Sequence, residues 1–262
     1  MTDVERISVG DGDLAVEVIP ERGLDLGGAR FRGRRFSWES PLGHITWQGD
    51  FARSFGGGLL VTCGLRNVGA PSEGQPQHGW FSSQAARDVV VEATHASARI
   101  LDAEVPGPTL ELTRDVHVEH ARVRVVDTVR NLARVGAEPA PLLYHVNLLW
   151  RSLDVDSVEV LPRDDDARAG DWRREGEPGP ERVYEHVGAT RAIVVYDGLR
   201  VTVRSSLPRL WQWIHPSYGV LGIEPANCSV LGRAHDRARG RLPVLAAGEE
   251  WTSSLEIAVE AA

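Results

Sequence analysis

The chain has 262 residues, a formal net charge of −8 and a hydrophobic content of 42%. All-β sandwiches and barrels reach this length as one unit, so we expect a single domain over residues 1–262. Acidic and basic residues interleave without long basic runs, which argues against nucleic acid as a partner. All 29 basic residues are arginine, and the lack of lysine excludes a Schiff-base lysine, a P-loop lysine and a lysine general base.

The cysteine content and the lack of long apolar segments indicate the cellular compartment. Cys63 and Cys228 are the only cysteines, too few for a disulfide framework or a cysteine-rich zinc site. The chain opens without a charged and then apolar leader, and no apolar run reaches membrane-spanning length. We therefore expect a soluble cytoplasmic protein with no membrane partner.

Short strands are predicted from the N-terminus onward. The segment Gly10–Asp13 is a hairpin signal between strands predicted at Glu5–Val9 and Leu14–Ile19, and a third strand is predicted at Gly28–Ser37. Residues 87–131 alternate in strand-sized runs separated by turns, which is typical of a sandwich or barrel. Further strands are predicted at residues 152–161, 191–196, 199–205, 210–215, 219–224 and 251–259. With no long helix and no repeat, the sequence predicts an all-β protein.

Two segments are not predicted to be strands. Residues 54–81 are rich in glycine, and we interpret them as a long loop, either a surface loop with bulges or a functional one. Residues 163–182 have no apolar periodicity and are predicted to be a solvated connector. His117 and His120 fall at positions of opposite parity, so we interpret both as surface residues flanking a turn.

The stretch Pro139–Trp150 reads as a strand buried on both faces. Because side chains alternate across a strand, His145 and Asn147 share one face with Leu143 and Leu149. Burying two polar side chains is costly unless something bonds to them, either the protein's own backbone or a ligand.

Two more polar residues interrupt apolar surroundings. Glu224 follows Leu221-Gly222-Ile223, and His78 precedes Gly79. Each has a structural explanation, since Glu224 could pair with an arginine, His145 could bond a backbone carbonyl and His78 could be an ordinary loop histidine. Together, a histidine and a carboxylate on neighbouring strands of a concave sheet form an acid–base pair, which suits a reaction that moves one proton on and another off a small molecule.

The ordered set of motifs resembles the aldose 1-epimerase (galactose mutarotase-like) superfamily, and in particular a divergent branch of it. The motifs lie in the expected order over most of the chain: Gly57-Gly58-Leu59-Leu60, residues 63–69 (CGLRNVG), His78-Gly79, Tyr144-His145-Val146-Asn147, residues 221–227 (LGIEPAN) and the closing residues 243–257.

The resemblance implies an antiparallel β-supersandwich that binds a sugar in a groove on one sheet. It makes His145 the catalytic acid, Glu224 the catalytic base and His78 a substrate-binding histidine, with Arg66 and Asn67 as further binding candidates. It implies mutarotation without a metal or an organic cofactor. It also implies a sugar-binding aspartate between the histidine and the glutamate, which the sequence does not locate.

The segment Leu210–His215 alternates tryptophan with other side chains. Trp213 could stack on a sugar and Gln212, on the opposite face, could bond hydroxyls, although tryptophans of the sandwich core are an equal alternative. Together with Asn147 they complete the predicted substrate-binding set.

We expect a small-molecule sugar or sugar derivative as the partner, and a monomer or homodimer. Two rival interpretations remain open. One is a carbohydrate-binding protein that has the groove without turnover. The other is a metal-dependent sugar isomerase of the cupin type, for which the usual His-x-His spacing is missing.

Overall fold

The computed structural model describes residues 4–41, 51–103, 109–150, 155–162 and 181–262. In these residues the chain forms two large sheets and a two-stranded ribbon, and all pairings between the strands are antiparallel. Strands are numbered here in chain order. No helix in the described parts of the chain has the length and apolar character needed to cross a membrane.

The first sheet has nine strands and carries the predicted Pro139–Trp150 strand near its centre. Its order is β1-β2-β3-β5-β11-β17-β16-β13, with β4 paired to β3. The strands are β1 (Ile7–Gly10), β2 (Leu14–Ile19), β3 (Asp25–Phe31), β4 (Arg34–Arg35), β5 (Leu60–Gly64), β11 (Leu142–Leu149), β13 (Arg182–Val187), β16 (Arg209–His215) and β17 (Val220–Ala226).

The second sheet has eight strands in the order β12-β14-β15-β19-β9-β8-β7-β6. They are β6 (Arg87–Val91), β7 (His95–Ala103), β8 (Thr109–Glu119), β9 (Arg122–Asn131), β12 (Val155–Pro162), β14 (Ala189–Tyr196), β15 (Leu199–Ser205) and β19 (Glu250–Ala261). The ribbon pairs β10 (Ala137–Pro139) with β18 (Val244–Ala246), and the two short α-helices are α1 (Phe51–Ser54) and α2 (Arg233–Ala238).

The core lies between the two sheets and follows from strand alternation. Every second residue of β8 and β9 is buried, and the same alternation directs one face of β11 inward. One cluster of buried apolar side chains unites both sheets, with members that include Val16, Leu26, Leu112, Val125, Tyr144, Val146, Val201 and Leu255.

A charged network crosses this core. Arg114 of β8, with no exposed surface, donates to both carboxylate oxygens of Asp127, at 2.9 and 2.7 Å, and to Asp25 of β3 at 2.8 Å. It also donates to the Thr62 hydroxyl of β5, while the Tyr144 hydroxyl of β11 donates to Asp127. Burial raises the pKa of Asp25, and the adjacent Arg114 opposes that increase. The network therefore ties strands of both sheets to one guanidinium.

The all-β prediction is confirmed, and most predicted strands match observed ones within a few residues. The loop prediction for residues 54–81 was wrong. Residues 54–81 are not a continuous loop, because Leu60–Gly64 forms the buried strand β5 between β3 and β11. The predicted strand at Gly28–Ser37 is split by a turn at Arg32-Gly33. The predicted connector lies outside the described residues over positions 163–180.

Candidate active site

The outer face of the nine-stranded sheet, directed away from the core, carries the polar side chains of β11. Because Tyr144 and Val146 belong to the core cluster, alternation directs His145 and Asn147 to the opposite face. This face also carries a smaller apolar cluster of Val61, Cys63, Val68, Leu143, Trp211, Ala226 and Cys228. Polar and apolar groups thus meet on one surface of the sheet.

Strand register brings His145 and Glu224 together. In the β11–β17 pair, Leu143 lies opposite Ala226 and Val146 lies opposite Ile223, so His145 and Glu224 are direct cross-strand neighbours. The Nε2 atom of His145 is 3.1 Å from the Oε1 atom of Glu224, within hydrogen-bond distance. The two residues proposed as acid and base therefore contact each other.

An aromatic layer covers this pair. The Phe55 ring lies 5.1 Å from the His145 ring and the Trp213 ring lies 5.2 Å from it, measured between ring centroids. Phe51 of α1 packs against Phe55 at 5.2 Å. His145 and Glu224 are only 4% and 3% exposed. A ligand that reaches the pair must displace part of this layer.

Burial controls the protonation of the pair. Burial raises the pKa of the Glu224 carboxyl, and the nearby Glu181 carboxylate adds to the increase. Burial lowers the pKa of His145, and the neighbouring His78 adds to the decrease. Both shifts favour the uncharged forms of the two groups. Glu224 is therefore protonated and His145 neutral, and the carboxyl hydroxyl of Glu224 donates a hydrogen bond to Nε2 of His145.

Gly222 leaves room for this contact. It lies two residues before Glu224 on the same strand face, and in strand register it pairs with Asn147 on one side and Trp213 on the other. A Cβ atom at this position would lie 2.8 Å from Oε1 of Glu224 and 3.0 Å from Cε1 of His145. Any larger residue would therefore displace the pair.

If His145 and Glu224 act as the acid and base of anomer exchange, as the sequence resemblance implies, Gly222→Ala should lower the exchange rate by about 100-fold, because a displacement of about 1 Å at reacting groups has an effect of this size. The backbone of Gly222 lies outside the positive-φ region, so alanine is compatible with the strand. The measurement is the rate of anomer exchange together with the thermal midpoint. An unchanged rate in a folded variant would contradict the geometry described here.

His78 lies beside the pair without touching it. Its ring is 6.5 Å from the His145 ring and 4.4 Å from the Phe51 ring. The Nδ1 atom accepts a hydrogen bond from the Gly69 backbone at 3.3 Å, and burial lowers the pKa of His78 to about 4. It is thus a neutral imidazole at the edge of the site.

Asn147 presents an unused acceptor on the same face. Its Nδ2 donates to the carbonyl oxygens of Gly58 and His145, at 3.0 and 2.9 Å. Among the described residues, Oδ1 of Asn147 and Nδ1 of His145 are buried and make no hydrogen bond of ordinary length and angle. The Asn147 side chain is nevertheless close enough to the His145 ring to oppose the lowering of its pKa by burial. Buried polar atoms are normally bonded, so these two atoms favour a ligand at this position.

Three predicted binding residues lie elsewhere. Arg66 forms ion pairs with Asp102 of the second sheet and with Glu138, so its charge is directed away from the outer face. The Asn67 side chain bonds the backbone at Ala70, Pro76 and Arg233, which fixes a loop. We therefore exclude both residues from the candidate site.

Gln212 is the third of these residues. It lies opposite Ile223, which faces the core, and its Oε1 is 3.2 Å from Nε2 of His186. It is on the other side of the sheet from Glu224, and we exclude it too. Trp213 does lie at the pair, and its Nε1 donates to Glu181 at 2.9 Å.

The sequence-based selection omitted two residues that shape the site, Phe55 and Gly222. Phe55 precedes the triple glycine at 56–58, and that glycine run was the available signal for a close approach to a neighbouring strand. Gly222 is part of the Leu-Gly-Ile-Glu motif, and its position two residues before Glu224 placed it on the same face.

Two antiparallel sheets packed face to face form the supersandwich of the galactose mutarotase-like fold. Among solved structures the chain is similar to Slr1438 from Synechocystis sp. PCC 6803, with 13% identity, a TM-score of 0.76 and coverage of 100% of this chain and 97% of that one. The family described as "Domain of unknown function (DUF4432)" matches residues 2–259, and the chain belongs to this family.

Two further solved structures carry descriptive names. A "putative aldose 1-epimerase" from Klebsiella pneumoniae subsp. pneumoniae MGH 78578 has 18% identity and a TM-score of 0.74, and the match covers 95% of this chain and 77% of that one. A "galactose mutarotase related enzyme" from Lactobacillus acidophilus has 11% identity and a TM-score of 0.67, with 98% of each chain covered. No curated protein sequence matches the chain. At sequence identities of 11–18%, the similarity to these structures establishes the fold alone.

Proposed function

We propose that the protein is a cofactor-independent isomerase of the aldose 1-epimerase type, which interconverts the anomers of a sugar. The observation that carries the proposal is the 3.1 Å contact between His145 and Glu224 on one sheet face. The buried, unbonded atoms of His145 and Asn147 support it, because they offer hydrogen-bonding positions next to the pair. The names given to two structural neighbours agree with this reaction class.

Mutarotation requires two proton movements, which the pair is suited to perform. Ring opening removes a proton from the anomeric hydroxyl and delivers one to the ring oxygen, and closure on the other face reverses both. In the proposed mechanism Glu224 takes the first proton and protonated His145 supplies the second. The pair carries the same number of protons before and after opening, so no outside donor is needed.

In the proposed mechanism, substrate binding converts the neutral pair into a Glu224 carboxylate and a His145 imidazolium. In the free protein the proton resides on Glu224, because burial under Phe55 disfavours both charges. Sugar hydroxyls that replace the phenyl ring provide hydrogen bonds and reduce the desolvation penalty. The proton then crosses the 3.1 Å contact to His145, leaving a carboxylate base and an imidazolium acid.

We expect kcat/KM to fall on the alkaline side only. Burial raises the pKa of Glu224 to about 8, and above that pH the free protein loses the proton that the pair must hold. On the acidic side a second proton would have to bind His145, whose pKa is lowered, so activity should stay level down to about pH 5. The measurement is kcat/KM between pH 5 and pH 10. An acidic limb near pH 6.5 would contradict the neutral-pair assignment.

A sugar-binding protein without turnover is the second candidate function, because Oδ1 of Asn147 could accept a hydrogen bond from a sugar hydroxyl without any proton transfer. Calorimetry combined with anomer-exchange NMR separates the two functions, since binding without acceleration of exchange would support the second. A metal-dependent isomerase has less support. Among the described residues, the one three-ligand cluster lies on the other sheet rather than at His145 and Glu224. The cytoplasmic location and the monomeric or dimeric state remain predictions.

A further inference from the structure

A second group of chemically reactive side chains lies on the outer face of the eight-stranded sheet. His95 of β7 is the direct cross-strand partner of His117 on β8, and Asp115 precedes His117 by two residues. Cross-strand partners and residues two apart on a strand share one face. The three side chains therefore project from the sheet as one cluster, which the proposed mechanism does not use.

The donor atoms of the cluster converge. One ligand atom from each of the three residues lies within 4.8 Å of the others. His95 Nε2 is 3.2 Å from Asp115 Oδ1, and the rings of His95 and His117 are stacked with centroids 4.5 Å apart. We propose that His95, Asp115 and His117 bind a divalent transition-metal ion, with Zn²⁺ as the representative ion.

The distances suit such an ion. Zinc binds imidazole nitrogen and carboxylate oxygen at about 2.0–2.2 Å, which places neighbouring ligand atoms of a tetrahedral site about 3.3 Å apart. The His95–Asp115 separation of 3.2 Å already meets this spacing. His117 is exposed, so its ring can rotate toward the other two ligands without disturbing the core. Water completes the coordination at this open face.

The chemistry of the ligands selects the class of ion. Two imidazoles and one carboxylate suit Zn²⁺, Ni²⁺ and Cu²⁺ better than Ca²⁺ or Mg²⁺, which prefer oxygen ligands. The ion would take the place of the proton between His95 and Asp115. Arg124, the exposed β9 partner of His117, is the neighbouring cation by strand register and opposes binding. Asp115 supplies the negative charge that offsets it.

A metal ion at this position would join β7 to β8, on the opposite sheet from Glu224. It would therefore stabilise the fold and leave the rate of anomer exchange unchanged. At free metal one hundred times Kd, binding to the folded state alone should raise Tm by on the order of 5 °C. This expectation is independent of the proposed isomerase activity.

The test is calorimetric titration of the tag-free chain of 262 residues with ZnCl₂. We expect one strong equivalent, weakened at least about tenfold by His117→Ala and by Asp115→Asn, since removal of a mere outer-shell partner already weakens metal binding by about 10- to 100-fold. The matched control is His120→Asn, which removes a neighbouring surface histidine; asparagine tolerates the positive φ of 52° found there. Glu224→Gln is the second control, and it should retain full zinc affinity.

The proposal would be overturned by either of two results. One is a wild-type chain that binds no equivalent of Zn²⁺ and shows no rise in Tm at millimolar ZnCl₂. The other is zinc binding that keeps its wild-type affinity in both His117→Ala and Asp115→Asn, whatever the two controls show. Because His117 is exposed and Asp115 is partly exposed, both variants should fold, and circular dichroism verifies this.

Discussion

Replacing Glu224 with glutamine should slow catalysed anomer exchange by about 10²- to 10⁴-fold, the contribution typical of one acid–base group. The fold should be unaffected for a specific reason. Burial keeps Glu224 protonated in the free protein, and the neutral amide of glutamine can donate the same hydrogen bond to His145. The substitution therefore removes proton transfer while it preserves packing. The measurement is polarimetry or NMR exchange spectroscopy with an accepted sugar.

The matched control is Glu185→Gln. Glu185 of β13 pairs in register with Trp211, the residue that lies opposite Glu224, and its carboxylate contacts Arg209 rather than His145. We expect this control to retain nearly the wild-type rate. If Glu224→Gln and Glu185→Gln behaved alike, the assignment of Glu224 as the base would be wrong.

Replacing Arg114 with methionine should lower the free energy of unfolding by roughly 3–5 kcal/mol. The substitution fills much of the same volume but leaves Asp25 and Asp127 buried without their cation. Removing one partner of a buried ion pair has an effect of this size, because the remaining charge stays desolvated. The measurement is equilibrium unfolding in urea, and the midpoint should fall clearly below that of the wild type.

The control for this change is Arg99→Met on β7. Arg99 also contacts two carboxylates, Asp88 and Glu111, but its side chain is 51% exposed. Exposed ion pairs contribute little to stability because solvent and salt screen them, so this variant should unfold near the wild-type midpoint. Equal losses in the two arginine variants would show that burial of the Arg114 network does not control stability.

The Arg114 ion network and the His145–Glu224 pair involve adjacent residues of β11. Tyr144 points inward and donates to Asp127, while His145 points outward and contacts Glu224. A strand anchored on its inner face holds the outer side chain at a fixed register against β17. The ion network thus positions the candidate acid, although it does not contact the site itself.

Much of this arrangement could be predicted from the sequence. The apolar run around His145 predicted a central buried strand, and the period of two placed His145 and Asn147 on one face. The position of Glu224 within an apolar strand indicated a buried carboxylate, which is rare unless the group is paired or functional. These predictions were correct because side chains alternate between the two faces of any strand, whichever strands pair with it.

Other features depend on contacts between distant segments and could not be predicted in this way. Glycines at 56–58 and 64 suggested a loop and concealed β5, whose burial follows from its position between β3 and β11. The resemblance to the superfamily implied a binding role for Arg66, yet its ion pairs are made with Asp102 and Glu138, 36 and 72 residues away. The cover by Phe55 likewise requires knowledge of the tertiary packing.

The most direct test of the central claim is NMR exchange spectroscopy of wild-type protein with a panel of aldoses, deoxy sugars and sugar acids. The account predicts that at least one sugar exchanges its anomers well above the buffer rate. It also predicts that His145→Ala and Glu224→Gln each remove the acceleration. Buffer rates for every sugar with folded wild-type protein, or acceleration that survives both substitutions, would contradict it.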